Sequence, residues 1–186
     1  MSDTPSNMMP LGTKAPQFTL KDTITDTIMS LEQLKGKKAT VIFFICNHCP
    51  FVIHVNAQLA QLAKDYIDKG VRCIAISSND IEHYPQDAPE HMKNFATQAG
   101  YIFPYLYDET QSVAKAYNAA CTPDFYVFDS DLSLKYRGQL DDSRPGNQVP
   151  VTGQDIRQAL DCILEDKDNP NLQKPSIGCS IKWFKA

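Results

Sequence analysis

Hydrophobic residues follow different rhythms along this chain, and each rhythm predicts an element. Residues 39–45 (ATVIFFI) form an unbroken run of apolar or β-branched positions without alternation. Such a run marks a strand buried on both faces, as in a sheet covered by helices on each side. From Pro50 the pattern changes. Val52, Val55, Leu59, Leu62 and Tyr66 recur at helical spacing as far as Gly70, which predicts a helix with proline in its first turn and glycine at its C-terminal end. Residues 71–76 (VRCIAI) read as a second buried strand, 77–88 as a polar loop, 89–99 as a helix closed by Gly100, and 105–107 as a short strand.

The flanking segments are less apolar. Residues 17–20 and 27–30 predict a hairpin around 21–26, and 31–34 a helical turn stopped by Gly36. A short helix is expected over 111–117 with Thr110 as N-cap. Residues 124–128 and 133–137 predict a strand pair across a turn rich in Asp and Ser. The segment 138–150, with Asp141, Asp142 and Arg144, reads as a solvated loop. Thr152 and Asp155 read as a capping box that opens a helix carrying Ile156, Leu160, Ile163 and Leu164. Residues 1–14 are expected to be a flexible lead and 166–186 a tail. Ile177, Ile181, Trp183 and Phe184 give that tail apolar surface to pack back on the domain. Strands alternating with helices, then a hairpin and a last helix, predict a mixed sheet with helices on both faces.

Composition narrows the function. A net charge of −4 over 186 residues offers no basic patch for nucleic acid. No apolar run approaches the roughly 20 residues of a membrane span. The N-terminus lacks the basic and apolar regions of a secretion signal, so a cytoplasmic, reducing location is expected. There, the six cysteines point to catalysis or metal binding rather than to a disulfide framework.

The chemistry concentrates where the buried strand meets the helix, at Cys46-Asn47-His48-Cys49-Pro50. A thiol at a helix N-terminus sits near unpaired N–H groups and the positive end of the dipole, and both favour thiolate. Two cysteines three apart can form a disulfide. An exposed Cys46 would attack and Cys49 would resolve the mixed disulfide, while a cationic His48 would lower the Cys46 pKa. A metal site is the competing reading, with Cys46, His48, Cys49 and His54 as ligands and distant Cys121 or Cys179 completing the set. Cys121 and Cys179 are also candidate redox thiols, whereas Cys73 and Cys162 read as small core residues.

The segments APQFTL (15–20), LEQLKGKKATVIFF (31–44), CNHCP (46–50) and CTPDFYVFD (121–129) resemble the thioredoxin-fold superfamily, in its redoxin, thiol-specific antioxidant (peroxiredoxin-like) branch. The resemblance implies a thioredoxin-like α/β domain over 15–165. This is a three-layer α/β/α sandwich with a central mixed sheet and an N-terminal β-hairpin extension. It also implies a cis-proline facing the cysteines, at Pro123, in a loop that presents backbone groups to substrate. Two departures stand out. The insert between the cysteines is Asn-His, which resembles that of disulfide oxidases and isomerases. The peroxiredoxin Pro-x-x-x-Thr-x-x-Cys signature is missing: Cys46 stands three before Cys49, and Phe43 three before Cys46.

The resulting expectation is a thiol–disulfide oxidoreductase without cofactor or metal. Cys46 is its nucleophile, Cys49 its resolver, His48 tunes the thiolate and Pro123 shapes the groove. Thr122, Asn47 and Pro50 are the candidate substrate contacts. Partners would be a protein or small-molecule thiol or disulfide, with thioredoxin or glutathione as electron donor, and neither nucleic acid nor membrane. The alternatives are a thioredoxin-dependent thiol peroxidase and a Cys/His metal-binding or copper-delivery protein.

Overall fold

The structure is a computed structural model that describes residues 3–185. In chain order the elements begin with β1 (Thr4–Pro5), β2 (Thr19–Asp22), β3 (Ile28–Ser30), α1 (Leu31–Leu34), β4 (Ala39–Phe44), α2 (Pro50–Tyr66), β5 (Val71–Ser77) and α3 (Pro89–Ala99). They continue with β6 (Tyr105–Tyr107), α4 (Ser112–Ala116), β7 (Cys121–Thr122), β8 (Asp124–Asp129), β9 (Leu134–Gly138), α5 (Gln154–Leu164) and β10 (Ile177–Ser180).

Seven strands form one sheet in the order β3-β2-β6-β5-β4-β8-β9. β4 is central, parallel to β5 and antiparallel to β8, and the pairing of β5 with β6 is also parallel. The hairpin β2–β3 extends the sheet by pairing with β6. The unbroken apolar run follows from this position, because both pleat faces of β4 are covered. Val41, Phe43 and Ile45 enter one core with Val52 and Leu59 of α2, Met92 of α3 and Leu160 of α5. Ile42 and Phe44 enter the other, with Leu31 of α1, Ala114 of α4 and Tyr117. The result is the α/β/α sandwich with a mixed sheet that the resemblance implied. Each fully buried Phe of β4 contributes roughly 1.5–3 kcal/mol.

Four local expectations are corrected. The lead is not free: Thr4 and Pro5 pair with Gly178 and Ile177 of β10, and the amides of Gly12 and Ala15 bond Leu134 and Leu132 carbonyls. Thr110 does not cap α4. Gln111 occupies the N-cap at φ 62°, and Asp108, a stronger acceptor because it is charged, receives the Val113 and Ala114 amides at 3.3 and 2.9 Å. Thr152 and Asp155 form no capping box, since Gly153 is the N-cap of α5. Asp141 instead accepts the Thr152 and Gly153 amides at 2.8 and 2.7 Å, which leaves Asp155 to bind Gln139. The loop holding Asp141 is therefore not simply solvated. Asp141 and Ser143 are buried, and Arg144 donates to the carbonyls of Asp141 and Ser143.

Beyond these, lead and tail combine into a second sheet, β1-β10-β7, with every pairing antiparallel. This small sheet ends at Thr122, beside the cysteine turn.

Candidate thiol redox site

β4 delivers the first cysteine. The Ile45 amide still bonds the Ile76 carbonyl at 3.0 Å, and the chain then turns through Cys46, Asn47 and His48. Cys49 is the N-cap of α2, with φ −73° and ψ 122°, and Pro50 takes the first helical position. Proline suits that position because its missing N–H would have had no partner there. The Cys49 carbonyl accepts the Val52 and Ile53 amides at 3.0 Å each.

The turn is pinned by a residue that sequence reasoning missed. Asp87 is fully buried; its Oδ1 accepts the Asn47 amide at 2.8 Å and its Oδ2 the Asn79 side-chain amide at 2.8 Å. His48 Nδ1 lies 2.7 Å from the same Oδ2, but off the line of a hydrogen bond. The His48 ring stacks on Tyr84 at 5.7 Å. No pattern marked Asp87, because one acidic residue in a polar loop resembles its solvated neighbours. Asn47, expected to meet substrate, is engaged within the protein. Its side-chain amide donates to the Gln86 carbonyl and its oxygen accepts from Tyr105 Oη.

Thr122 and Pro123 face the cysteines, and the peptide bond between them is cis. Cys49 Sγ lies 3.2 Å from the Thr122 carbonyl oxygen, to which it donates when protonated, and Cys46 Sγ lies 3.6 Å from Thr122 Oγ1. The loop is anchored from below by Asp124, whose carboxylate meets Arg137 at 2.9 Å with both side chains fully buried. Arg137 also donates to the Tyr117 and Asn118 carbonyls and lies 4.2 Å from the centre of the Tyr126 ring. Burial outweighs the guanidinium and pushes Asp124 up to about 6.

Electrostatics modify the sequence reading. Cys46 was expected to be exposed and acidic. It is 1% exposed and Cys49 is 0%. The two thiols interact, and this splits them. Cys49 is lowered to about 5, first through its hydrogen bond with Cys46. Cys46 is raised well above its ordinary range by that same hydrogen bond, then by burial and by the Asp87 charge. His48 does not offset this, because it faces Asp87. The pair behaves as one unit that loses its first proton easily and its second with difficulty.

Cys179 is a third sulfur beside the pair. It lies in the same buried cluster as Cys46 and Cys49, opposite Thr122 across the β10–β7 pairing, and burial is the main cause raising it to about 12. Cys121 donates weakly to the Pro123 carbonyl at 3.7 Å and is raised by burial. Cys73 and Cys162 are buried elsewhere in the core.

Among the described residues, one group of three could converge on a cation: Cys46, His48 and Asp87, with ligand atoms within 4.8 Å of one another. His54, enlisted by the metal reading, instead bonds Ser143 Oγ at 2.7 Å. No helix among the described residues is long and apolar enough to cross a membrane.

This geometry has close structural counterparts. An uncharacterized conserved protein from Geobacillus kaustophilus is 61% identical with TM-score 0.98, covering 100% of this chain and 98% of its own. A hypothetical protein from Sinorhizobium meliloti 1021 is 46% identical with TM-score 0.96, covering 98% of this chain and 100% of its own. The fold also resembles that of peroxidoxin BcpB from Mycobacterium tuberculosis, at 20% identity and TM-score 0.62 over 86% of this chain and 98% of that one. No protein of curated function is significantly similar in sequence. Residues 11–137, which include the cysteine turn and the cis-proline, match the AhpC/TSA family, and the chain belongs to that family.

Proposed function

We propose that the protein is a thiol–disulfide oxidoreductase that works through Cys46 and Cys49. The observation that carries this reading is the pair itself: two interacting thiols at a helix N-terminus, one lowered to about 5, against a cis-proline loop. Membership of the AhpC/TSA family supports a thiol redox role.

The surroundings suggest an order of events. Cys46 adjoins partly exposed His48, whereas Cys49 adjoins the interior Thr122 carbonyl and Cys179. Cys46 is thus the outer sulfur. The resting charge favours Cys49, and the Cys46–Cys49 hydrogen bond provides a path for the proton to cross. The Cys46 thiolate then attacks a substrate disulfide, one sulfur of which leaves as thiolate and takes a proton. Cys49 attacks the mixed disulfide at Cys46, releasing the second substrate thiol and leaving Cys46–Cys49 oxidised. A thiol donor such as glutathione or thioredoxin would reverse the sequence.

Burial of both sulfurs favours a second reading, in which a small peroxide rather than a protein disulfide is the oxidant. Parallel assays separate the two. Turnover of a mixed glutathione disulfide, abolished in Cys46→Ser and Cys49→Ser, supports the first. Catalytic consumption of hydrogen peroxide without disulfide turnover replaces it with the second.

A further inference from the structure

Residues beyond the family match, which ends at 137, contribute a third sulfur to the site. β10 lies antiparallel to β7 with Cys179 opposite Thr122, the residue whose carbonyl accepts the Cys49 thiol. The approach is tight: a Cβ added at Gly178 would lie 2.0 Å from the Thr122 carbonyl oxygen. The tail is fixed on both sides of this point. Ser176 Oγ donates to the Pro123 carbonyl at 2.6 Å, and the Ile181 amide donates to the Ala120 carbonyl at 3.1 Å. Cys179 therefore sits in a fixed strand, 5% exposed, in the same buried cluster as Cys46 and Cys49. Cys49 thus lies between two possible thiol partners, Cys46 toward the surface and Cys179 toward the tail sheet.

We infer that Cys179 is an internal resolving thiol for Cys49, forming a three-cysteine relay Cys46–Cys49–Cys179. This rests on the proposed Cys46–Cys49 redox pair. Cys179, as thiolate, attacks Cys49 Sγ of the Cys46–Cys49 disulfide. The Cys49–Cys179 bond forms, the Cys46–Cys49 bond breaks, and Cys46 leaves as thiolate to take the proton that Cys179 gave up. The chain stays oxidised by two electrons throughout, and the outer sulfur is free for another encounter. The backbone edge of β7 at Thr122 is already occupied by β10, so the tail strand holds the position beside the cysteines that an extended peptide would otherwise take.

The test uses the full chain and its Cys46→Ser variant, oxidised with glutathione disulfide, alkylated and mapped by mass spectrometry. The inference expects Cys46→Ser to accumulate a Cys49–Cys179 disulfide. It expects the wild type to distribute between Cys46–Cys49 and Cys49–Cys179, and Cys179→Ala to form Cys46–Cys49 alone. Cys46→Ala serves as a second outer-cysteine variant if the serine chain does not fold. Should Cys49 in both outer-cysteine variants carry only glutathione while Cys179 remains alkylatable, or pair with Cys121 instead, the relay is overturned. Failure of the wild type to form Cys46–Cys49 under any redox buffer would instead sink the underlying redox-pair reading, so the two failures are distinguishable.

Discussion

Titrating the Cys46/Cys49 couple against glutathione across about pH 4 to about pH 8 tests the site's electrostatics most directly. With Cys49 lowered to about 5 and Cys46 raised, the reduced pair holds two protons below pH 5 and one through the neutral range. Each proton taken up on reduction adds about 30 mV per pH unit to the slope of a two-electron potential. The slope should therefore be about 59 mV per pH unit below pH 5 and about 30 mV above it. At pH 7 a thiol at about 5 is ionised roughly a hundredfold over its neutral form. That stabilises the reduced state by about 3 kcal/mol, on the order of 60 mV toward a more oxidising couple. The same lowering bears on folding. Between pH 5 and about 8.5 Cys49 is less protonated in the reduced native state than in the unfolded chain, so its contribution to stability rises with pH and is lost as pH falls through 5. The assay is disulfide quantification by alkylation and mass spectrometry at each pH. A slope that stays near 59 mV through neutral pH would refute the reasoning, since it would mean that both thiols keep their protons.

Other perturbations have equally definite outcomes. Arg137→Met leaves Asp124 buried without its partner and should cost about 3–5 kcal/mol in urea unfolding, much of it restored by adding Asp124→Leu. Asp124 is raised to about 6 by burial, so its contribution to stability falls as pH rises from about 4 through 6; Asp124→Asn should flatten that part of the stability profile. Gly178→Ala, with its methyl driven against the Thr122 carbonyl, should cost on the order of 1–3 kcal/mol and reduce the yield of Cys49–Cys179 disulfide. Asp87→Asn removes a charge that raises Cys46 and should move the second thiol ionisation to lower pH, read by ultraviolet thiolate absorbance.

Much of the fold was legible because it rests on periodicity. The seven-residue apolar run fixed β4 as central, and the helical spacing after Pro50 fixed α2. Both signals follow from burial, which each residue expresses in its own side chain. The cis-proline was legible only through resemblance to a family, since spacing does not distinguish the two peptide isomers. What escaped were contacts that no local motif encodes. Asp108, two positions before Thr110, and Asp141, eleven before Thr152, take the helix-start amides because a buried carboxylate is a stronger acceptor than the local hydroxyl. Asp87 belongs to the same class. The direction of the Cys46 shift was misread for this reason: the hydrogen bond with Cys49 and burial raise it first, and the charge that adds to them is Asp87, forty-one positions on in the chain, not a histidinium two positions away.

The tail links these observations into one physical account of the site. The neighbouring Cys46 thiol is the largest cause that lowers Cys49, but alone it leaves Cys49 with a single covalent partner. β10 adds a second, and the means by which it does so constrain the sequence. Gly178 permits the close approach, Ser176 holds the Pro123 carbonyl, and Thr4 and Pro5 pair along the outer edge of β10, so the two ends of the chain are ordered on each other. Ordering two termini costs roughly 1–2 kcal/mol per residue in backbone entropy. Of the contacts that offset this cost, several converge on the backbone of Thr122 and Pro123. A tail needed only for stability could have covered any exposed edge of the main sheet. This one is docked against the two residues opposite the cysteines and places a sulfur there, which is the arrangement a three-thiol relay requires.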